Sequence, residues 1–328
     1  MIARLQLWLL VGQFVLGTLL AAWLAGTGRT SIGAAIAFGL LAPVALHALV
    51  LTADFAIAWV ARGVRPEDDT RHGFLRGLRA WSVAWVREIV DSTRTFSYAQ
   101  PLLARRAFAV GAPHDQRLPV LLIHGYFCNR ALWRPMAARL VAGGHAVEAI
   151  DLEPPFASID DYAPRIAEAV DALRARTGAP QVALIGHSMG GLAARAYLRA
   201  CGDAAVACVV TLGTPHRGTI HARFGRGRNV RQMRRDSDWL RGLAAEEPRE
   251  RLERFTVILS WQDNIVAPQA IQTLPGARTV MLHGLGHISL AYDARVARIV
   301  LEALAAAEAG RPARAASSRA SDSVPTPG

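Results

Sequence analysis

The sequence predicts an α/β protein: a mostly parallel sheet covered by helices on both faces, preceded by a transmembrane helical hairpin. Three observations predict it. From Leu118 to Ala307 short apolar runs alternate with amphipathic stretches, the pattern of strands buried on both faces. Near the start, Gln6–Thr27 and Ser31–Ala53 are uncharged. Each reaches the roughly 20 residues a helix needs to cross the hydrocarbon core. Between a strand run and a helical run lies Gly186-His187-Ser188-Met189-Gly190.

Composition narrows the class. Of 328 residues, 52% are hydrophobic, with 37 basic and 26 acidic groups and a net charge of +11. Every basic residue is Arg. A mean hydropathy of +0.21 excludes a disordered chain. Cys128, Cys201 and Cys208 are too few for a disulfide scaffold and lack CxxC spacing or a His companion, so no zinc site is expected. The positive charge fits an anionic membrane surface or nucleic acid, but no nucleic-acid motif accompanies it. An all-Arg bias also follows from a GC-rich genome.

Residues 1–61 read as the two-span hairpin, with Gly28-Arg29-Thr30 as its turn. Pro43 and the glycines are tolerated in such helices, and His47 reads as a packing residue, not a ligand. Arg4 precedes the first span, and Arg62, Arg65, Arg71, Arg76 and Arg79 follow the second, with only Arg29 between. This bias puts both ends on the cytoplasmic side of the inner membrane. Two alternatives stay open. The first run, with its small residues at Ala21-Ala22-Trp23-Leu24-Ala25, also reads as a signal peptide, and the second as a buried helix. If only the first run anchors, the domain lies on the opposite face.

Residues 62–116 read as an amphipathic connector. Phe74, Leu78, Trp81, Trp85 and Ile89 recur at helical spacing, with Arg76, Arg79, Arg87 and Glu88 elsewhere on the wheel. Such a helix suits a membrane interface or packing on the next domain. Pro101, Pro113 and Pro119 punctuate the approach to that domain, residues 117–308.

Within the domain the expected strands are Pro119–Ile123, His145–Ile150, Gln181–Ile185, Ala204–Leu212, Phe255–Ser260 and Arg278–Leu282. The expected helices are Ala131–Ala142, Tyr162–Arg176, Gly190–Ala200 and Ile288–Ala307. The tail 309–328 has no apolar period and reads as disordered.

The chemistry centres on Ser188. A serine in G-x-S-x-G between strand and helix sits on a tight turn at the strand's carboxyl end. The helix N-terminus there favours developing negative charge. A serine hydroxyl needs a base, and ten histidines compete. His287, in Gly284-Leu-Gly-His287 between the last strand and the last helix, is best placed. His283, at the end of that strand, is its rival. Asp263, just past the preceding strand, is the expected partner of the base. Asp236 and Asp238 lie in an Arg-rich insertion, and Asp293 reads as surface charge inside the last helix. Gly125, after the first strand, lets the chain turn so that a backbone N–H faces the serine. Tyr126 and Met189 are the expected oxyanion donors, with Phe127 the alternative to Tyr126. His124 is expected to order the loop.

At these residues the chain resembles the α/β-hydrolase superfamily, specifically bacterial triacylglycerol lipases and esterases. The resemblance rests on His124-Gly125, Gly186-His-Ser188-Met-Gly190-Gly191, Thr211-Leu-Gly-Thr-Pro-His-Arg-Gly218, Asp263-Asn-Ile-Val and Gly286-His287. It covers roughly Leu118–Ala307. It implies hydrolysis of carboxylic esters through an acyl-serine intermediate, with no cofactor and no metal. His216 then reads as loop or pocket structure. The insertion 219–254 carries Arg223, Arg226, Arg228, Arg231, Arg234 and Arg235, and reads as a lid that meets lipid phosphates or as a solvated loop.

The resulting expectation is a membrane-anchored serine hydrolase acting on an ester or lipid substrate. Lipid acyl transfer or phospholipase action with the same triad is the alternative. A non-catalytic membrane adaptor on the same fold is the alternative of another class.

Overall fold

The computed structural model describes residues 1–28, 30–62, 71–106 and 117–310, and for 71–76 the backbone alone. Arg29, Arg65, Pro113, the side chains of Arg71, Phe74 and Arg76, and nearly all of the expected tail lie outside the described residues.

Two long apolar helices open the chain, α1 (Ile2–Gly26) and α2 (Ile32–Ala61). Both are long and apolar enough to cross a membrane. The Ser31 hydroxyl starts α2 by accepting from the Ala34 N–H at 3.2 Å. The second expected run closed at Asp54, but α2 continues through it to Ala61. The pair packs through small residues, because a Cβ at Gly17 would stand only 2.3 Å from the Gly39 carbonyl oxygen. Trp8, Leu16, Trp23, Leu41 and Leu49 remain exposed on the outer faces.

Helix α3 (Arg71–Thr93) follows, continued by a π-helical turn (Arg94–Ala99) and the short α4 (Gln100–Leu103). The expected apolar stripe is not its buried face. Trp81 is buried, but Leu78 is exposed and Trp85 and Ile89 are half-buried. The buried positions are Trp81, Ala84, Glu88, Asp91, Ser92 and Thr95. One side of α3 lies on α2, through Trp81 against Phe55 and Trp59 and through His47 Nε2 to Ser92 Oγ at 2.8 Å. Trp85 Nε1 donates to Thr52 Oγ1 at 3.0 Å.

The sheet has six parallel strands: β1 (Val120–Ile123), β2 (Val147–Ile150), β3 (Val182–His187), β4 (Val206–Leu212), β5 (Phe255–Ser260) and β6 (Arg278–Leu282). Their spatial order is β2-β1-β3-β4-β5-β6. Alternate side chains feed two cores. Val120, Leu122, Ile185, Val210 and Ile258 meet α5 (Arg134–Ala142) and the C-terminal helix. Leu121, Ile123, Leu184, Val209 and Val257 meet α6 (Ala163–Thr177) and α7 (Met189–Cys201). The order turns at β1, which has β2 on one side and β3 on the other. A crevice therefore opens at their carboxyl ends, where ligands bind in such sheets.

The insertion forms α8 (Arg228–Gln232), α9 (Asp238–Ala245) and α10 (Arg249–Leu252). Ala222, Val230, Met233, Leu240 and Leu252 anchor it in the core on the α7 side. Its six arginines from Arg223 to Arg235 are exposed.

The expected last helix is two elements, a 3-10 turn at Ile288–Ala291 and α11 (Ala294–Ala309). Asp293 breaks them. It lies outside the helix as its N-cap, accepting from the Arg295 N–H at 2.8 Å, and is buried. It also holds Arg87 of α3 at 2.5 Å. The reading of Asp293 as a surface charge within a helix is therefore wrong.

Candidate active site

Ser188 joins β3 to α7 with φ 56° and ψ −127°. A side chain in that backbone region is strained. The turn is tight because glycines flank it. A Cβ at Gly186 would stand 2.5 Å from the Gly191 nitrogen, and one at Gly190 would stand 2.1 Å from the Ile123 carbonyl oxygen. The register sets Ile123 of β1 beside Gly186 of β3. The loop after β1 consequently runs against the serine, and a Cβ at Gly125 would lie 3.2 Å from Ser188 Oγ. Met189 follows Ser188 and begins α7, and Tyr126 follows Gly125. Phe127 has φ 56°.

His124 closes the same loop. The Leu152 N–H donates to its Nε2 at 3.0 Å, so Nδ1 carries the proton and donates to the Gly125 carbonyl at 2.9 Å. Burial lowers the proton affinity of this imidazole, which keeps it neutral.

Asp263, past β5, and His287, past β6, meet directly, with Asp263 Oδ2 2.9 Å from His287 Nδ1. Both are buried. Asp263 Oδ1 is held by the N–H groups of Ile265 at 2.9 Å and Val266 at 2.7 Å. Hydrogen bonding to the carboxylate fixes the Nδ1–H tautomer and leaves Nε2 with a free lone pair. Burial lowers the proton affinity of His287. The charge and hydrogen bond of Asp263, with the charge of Glu88, outweigh it and hold the imidazole above its ordinary value.

His287 lies against His187, the residue before Ser188 in the chain. The His187 and His287 rings stand 4.6 Å apart, and His187 Nε2 donates to the His287 carbonyl at 3.0 Å. Burial, then the charge of His287, pushes His187 down to about 3, so it stays neutral. The rivals lie elsewhere. His283 is exposed, as are Asp236 and Asp238. His216 is buried, with Nε2 3.0 Å from Thr211 Oγ1, beside the Arg195–Glu247 ion pair.

Three residues at the site went unread in the sequence. His187 buttresses the histidine loop. Asn264 Oδ1 accepts from the His287 N–H at 2.9 Å. Glu88, placed on a polar face from its spacing, is buried against that loop. Asn264 and His187 carried a signal, their positions beside Asp263 and Ser188.

The mouth is aromatic. Tyr126, Phe127 and Phe156 cluster with ring centroids 5.5–6.5 Å apart. The Tyr126 hydroxyl donates to the Arg226 carbonyl at 3.0 Å, tying the insertion to the loop. Both apolar helices reach this rim. Gln6 Nε2 of α1 donates to the Phe127 carbonyl at 3.0 Å, and Asp54 of α2 lies 3.7 Å from His221 Nε2.

A parallel sheet with a strained serine turn between β3 and α7, and an acid–histidine pair after β5 and β6, defines a class. Residues 120–280 match the alpha/beta hydrolase family, and the fold of that segment is the α/β-hydrolase fold. It is 39% identical over 117 residues to a triacylglycerol lipase of Pseudarthrobacter phenanthrenivorans, covering 33% of this chain and 36% of the relative. Identity to a triacylglycerol lipase of Burkholderia plantarii is also 39% over 117 residues, covering 33% of this chain and 32% of the relative. The chain thus spans about a third of the length of the curated relatives it matches. The fold is similar to that of Bacillus licheniformis lipase BlEst2 in its mature form. There the TM-score is 0.54 and the identity 18%, over 60% of this chain and 95% of that one.

Proposed function

We propose that the protein is a membrane-anchored serine hydrolase of carboxylic esters. The observation that carries this is the buried Asp263–His287 pair, packed against His187, the residue before Ser188 on its strained turn. Ser188 attacks the ester carbonyl while Nε2 of His287 takes its proton. Asp263 holds the imidazole by Nδ1 and stabilises the imidazolium. The N–H groups of Tyr126 and Met189 receive the oxyanion. His287 then protonates the leaving alcohol, and water repeats the sequence on the acyl-enzyme. Likeness to triacylglycerol lipases and the aromatic mouth support an acyl ester with an apolar chain. Ser188→Ala is the test. It should abolish turnover of p-nitrophenyl butyrate and leave the thermal transition in place, and retained turnover would remove the assignment.

The membrane reading rests on α1 and α2, whose outer apolar faces are exposed and whose domain-side ends reach the rim of the site. Both chain ends lie on the cytoplasmic side, by the flanking arginines. Alkaline carbonate should leave the full chain in the membrane pellet, and a C-terminal alkaline phosphatase fusion should be inactive. Release into the supernatant, or an active fusion, would contradict anchorage or orientation respectively.

A further inference from the structure

A buried carboxylate lies outside the proposed triad. Glu88 belongs to α3, not to the hydrolase segment, yet it is only 1% exposed. Its Oε1 accepts from the Ile288 N–H at 2.8 Å and its Oε2 from the Ser289 N–H at 3.0 Å. Those are the two residues after His287. The fit is close, since a Cβ at Gly286 would stand 2.4 Å from Glu88 Oε2. Arg87 to Asp293 and Thr95 Oγ1 to Tyr292 (2.7 Å) fasten α3 and its π-helical continuation to the far end of the same turn. The segment 286–293 is thus clamped along one helix, and that helix lies on α2 by its other side.

We propose that Glu88 is a positioning residue for His287, fixing the turn that carries the imidazole and adding a negative charge beside it. A buried carboxylate bonded to two backbone N–H groups sets a turn more rigidly than a neutral side chain. A negative charge nearby also favours the imidazolium that forms during proton transfer. The reading rests on His287 as the base.

The charges facing Glu88 fit this role. On its own helix Arg87 is turned to Asp293, and Asp91 lies 4.0 Å from Arg94. From α2, His47 approaches only through Ser92. From the hydrolase segment come His287, with Asp263 and His187 behind it. Of these His287 is the partner whose charge Glu88 senses. Burial pushes the Glu88 carboxyl up to about 7, against the opposing pull of the two N–H bonds and of His287. Each charge favours the other: Glu88 raises the proton affinity of His287, and His287 lowers that of Glu88.

The test is the pH profile of kcat/KM for p-nitrophenyl butyrate, on the full chain in detergent, for wild type and Glu88→Gln. Each is normalised to sites titrated with a fluorophosphonate, so unfolded protein does not count. Without the carboxylate, His287 gives up its proton at lower pH. The ascending limb should move down by about one unit and follow a single proton, with KM nearly unchanged. A merely structural role would lower the yield of titrated sites and leave the limb in place, and that result overturns the proposal. If Glu88→Gln does not accumulate, Glu88→Asp is read instead. Its carboxylate is drawn back by one methylene, and kcat per titrated site should fall roughly tenfold or more. Wild-type kcat in that variant overturns the proposal too. Wild type inactive towards every ester would instead refute the proposed function and not this inference alone.

Discussion

Asp263→Asn changes one atom and should nearly silence the enzyme, for a reason written in the hydrogen bonds. Oδ1 of Asp263 takes two backbone N–H groups, from Ile265 and Val266, and Oδ2 takes Nδ1–H of His287. An asparagine there has one oxygen and one NH2. Turning the NH2 toward the backbone would leave two buried donors unpaired, at about 1–3 kcal/mol each. The oxygen therefore stays with Ile265 and Val266, and the NH2 faces His287. Nδ1 must then accept, which moves the ring proton to Nε2, where a proton from Ser188 can no longer go. Loss of the correct tautomer lowers kcat by roughly 10⁴ in this kind of triad. At 1.36 kcal/mol per tenfold, that is about 5.4 kcal/mol of barrier. The assay is steady-state hydrolysis of p-nitrophenyl butyrate per mole of protein, with the thermal transition recorded beside it. A loss below about tenfold with an unchanged transition would refute the tautomer argument.

Two further outcomes follow from buried charge. The Arg195 guanidinium is wholly buried and grips Glu247 at 2.8 and 2.5 Å, so Glu247→Ala strands a cation. Stability should fall by about 3–5 kcal/mol, seen as a transition lowered by roughly 6–20 °C. A shift of under about 2 °C would contradict the assigned pair. Because His287 is held above its ordinary 6.5, kcat/KM should rise with pH through a midpoint above that value. A midpoint below 6 would mean that Asp263 and Glu88 do not outweigh burial. The same shift has a sign for stability. The protonated ring stabilises the fold fully below the unfolded value, and this is lost as pH rises through the folded value.

The parallel sheet was legible because strands buried on both faces must be continuous apolar runs. Phe255–Ser260 and Arg278–Leu282 stand where the sequence placed them. The serine turn was legible because its glycines are demanded by close backbone approach. Helix α3 was misread for a physical reason. Hydrophobic period weighs only apolar side chains, and the face buried by α3 and its π-helical continuation is largely polar: Glu88, Asp91, Ser92 and Thr95. Those groups are buried because they meet backbone N–H groups and side chains on a distant segment, which spacing within one helix does not encode. Asp293 was misread for a related reason. The apolar pattern runs through the break after Ala291, which hides the local cap on the Arg295 N–H, and the tertiary contact with Arg87 is invisible to it.

The central claim is that Ser188 is a nucleophile activated by His287 and oriented by Asp263. Labelling of the full chain with a fluorophosphonate, followed by mapping of the modified peptide, tests it most directly. The account predicts one adduct per chain, on Ser188, that is lost in Ser188→Ala and strongly slowed in His287→Ala. Absence of labelling in folded wild-type protein, or an adduct on another residue, would contradict it.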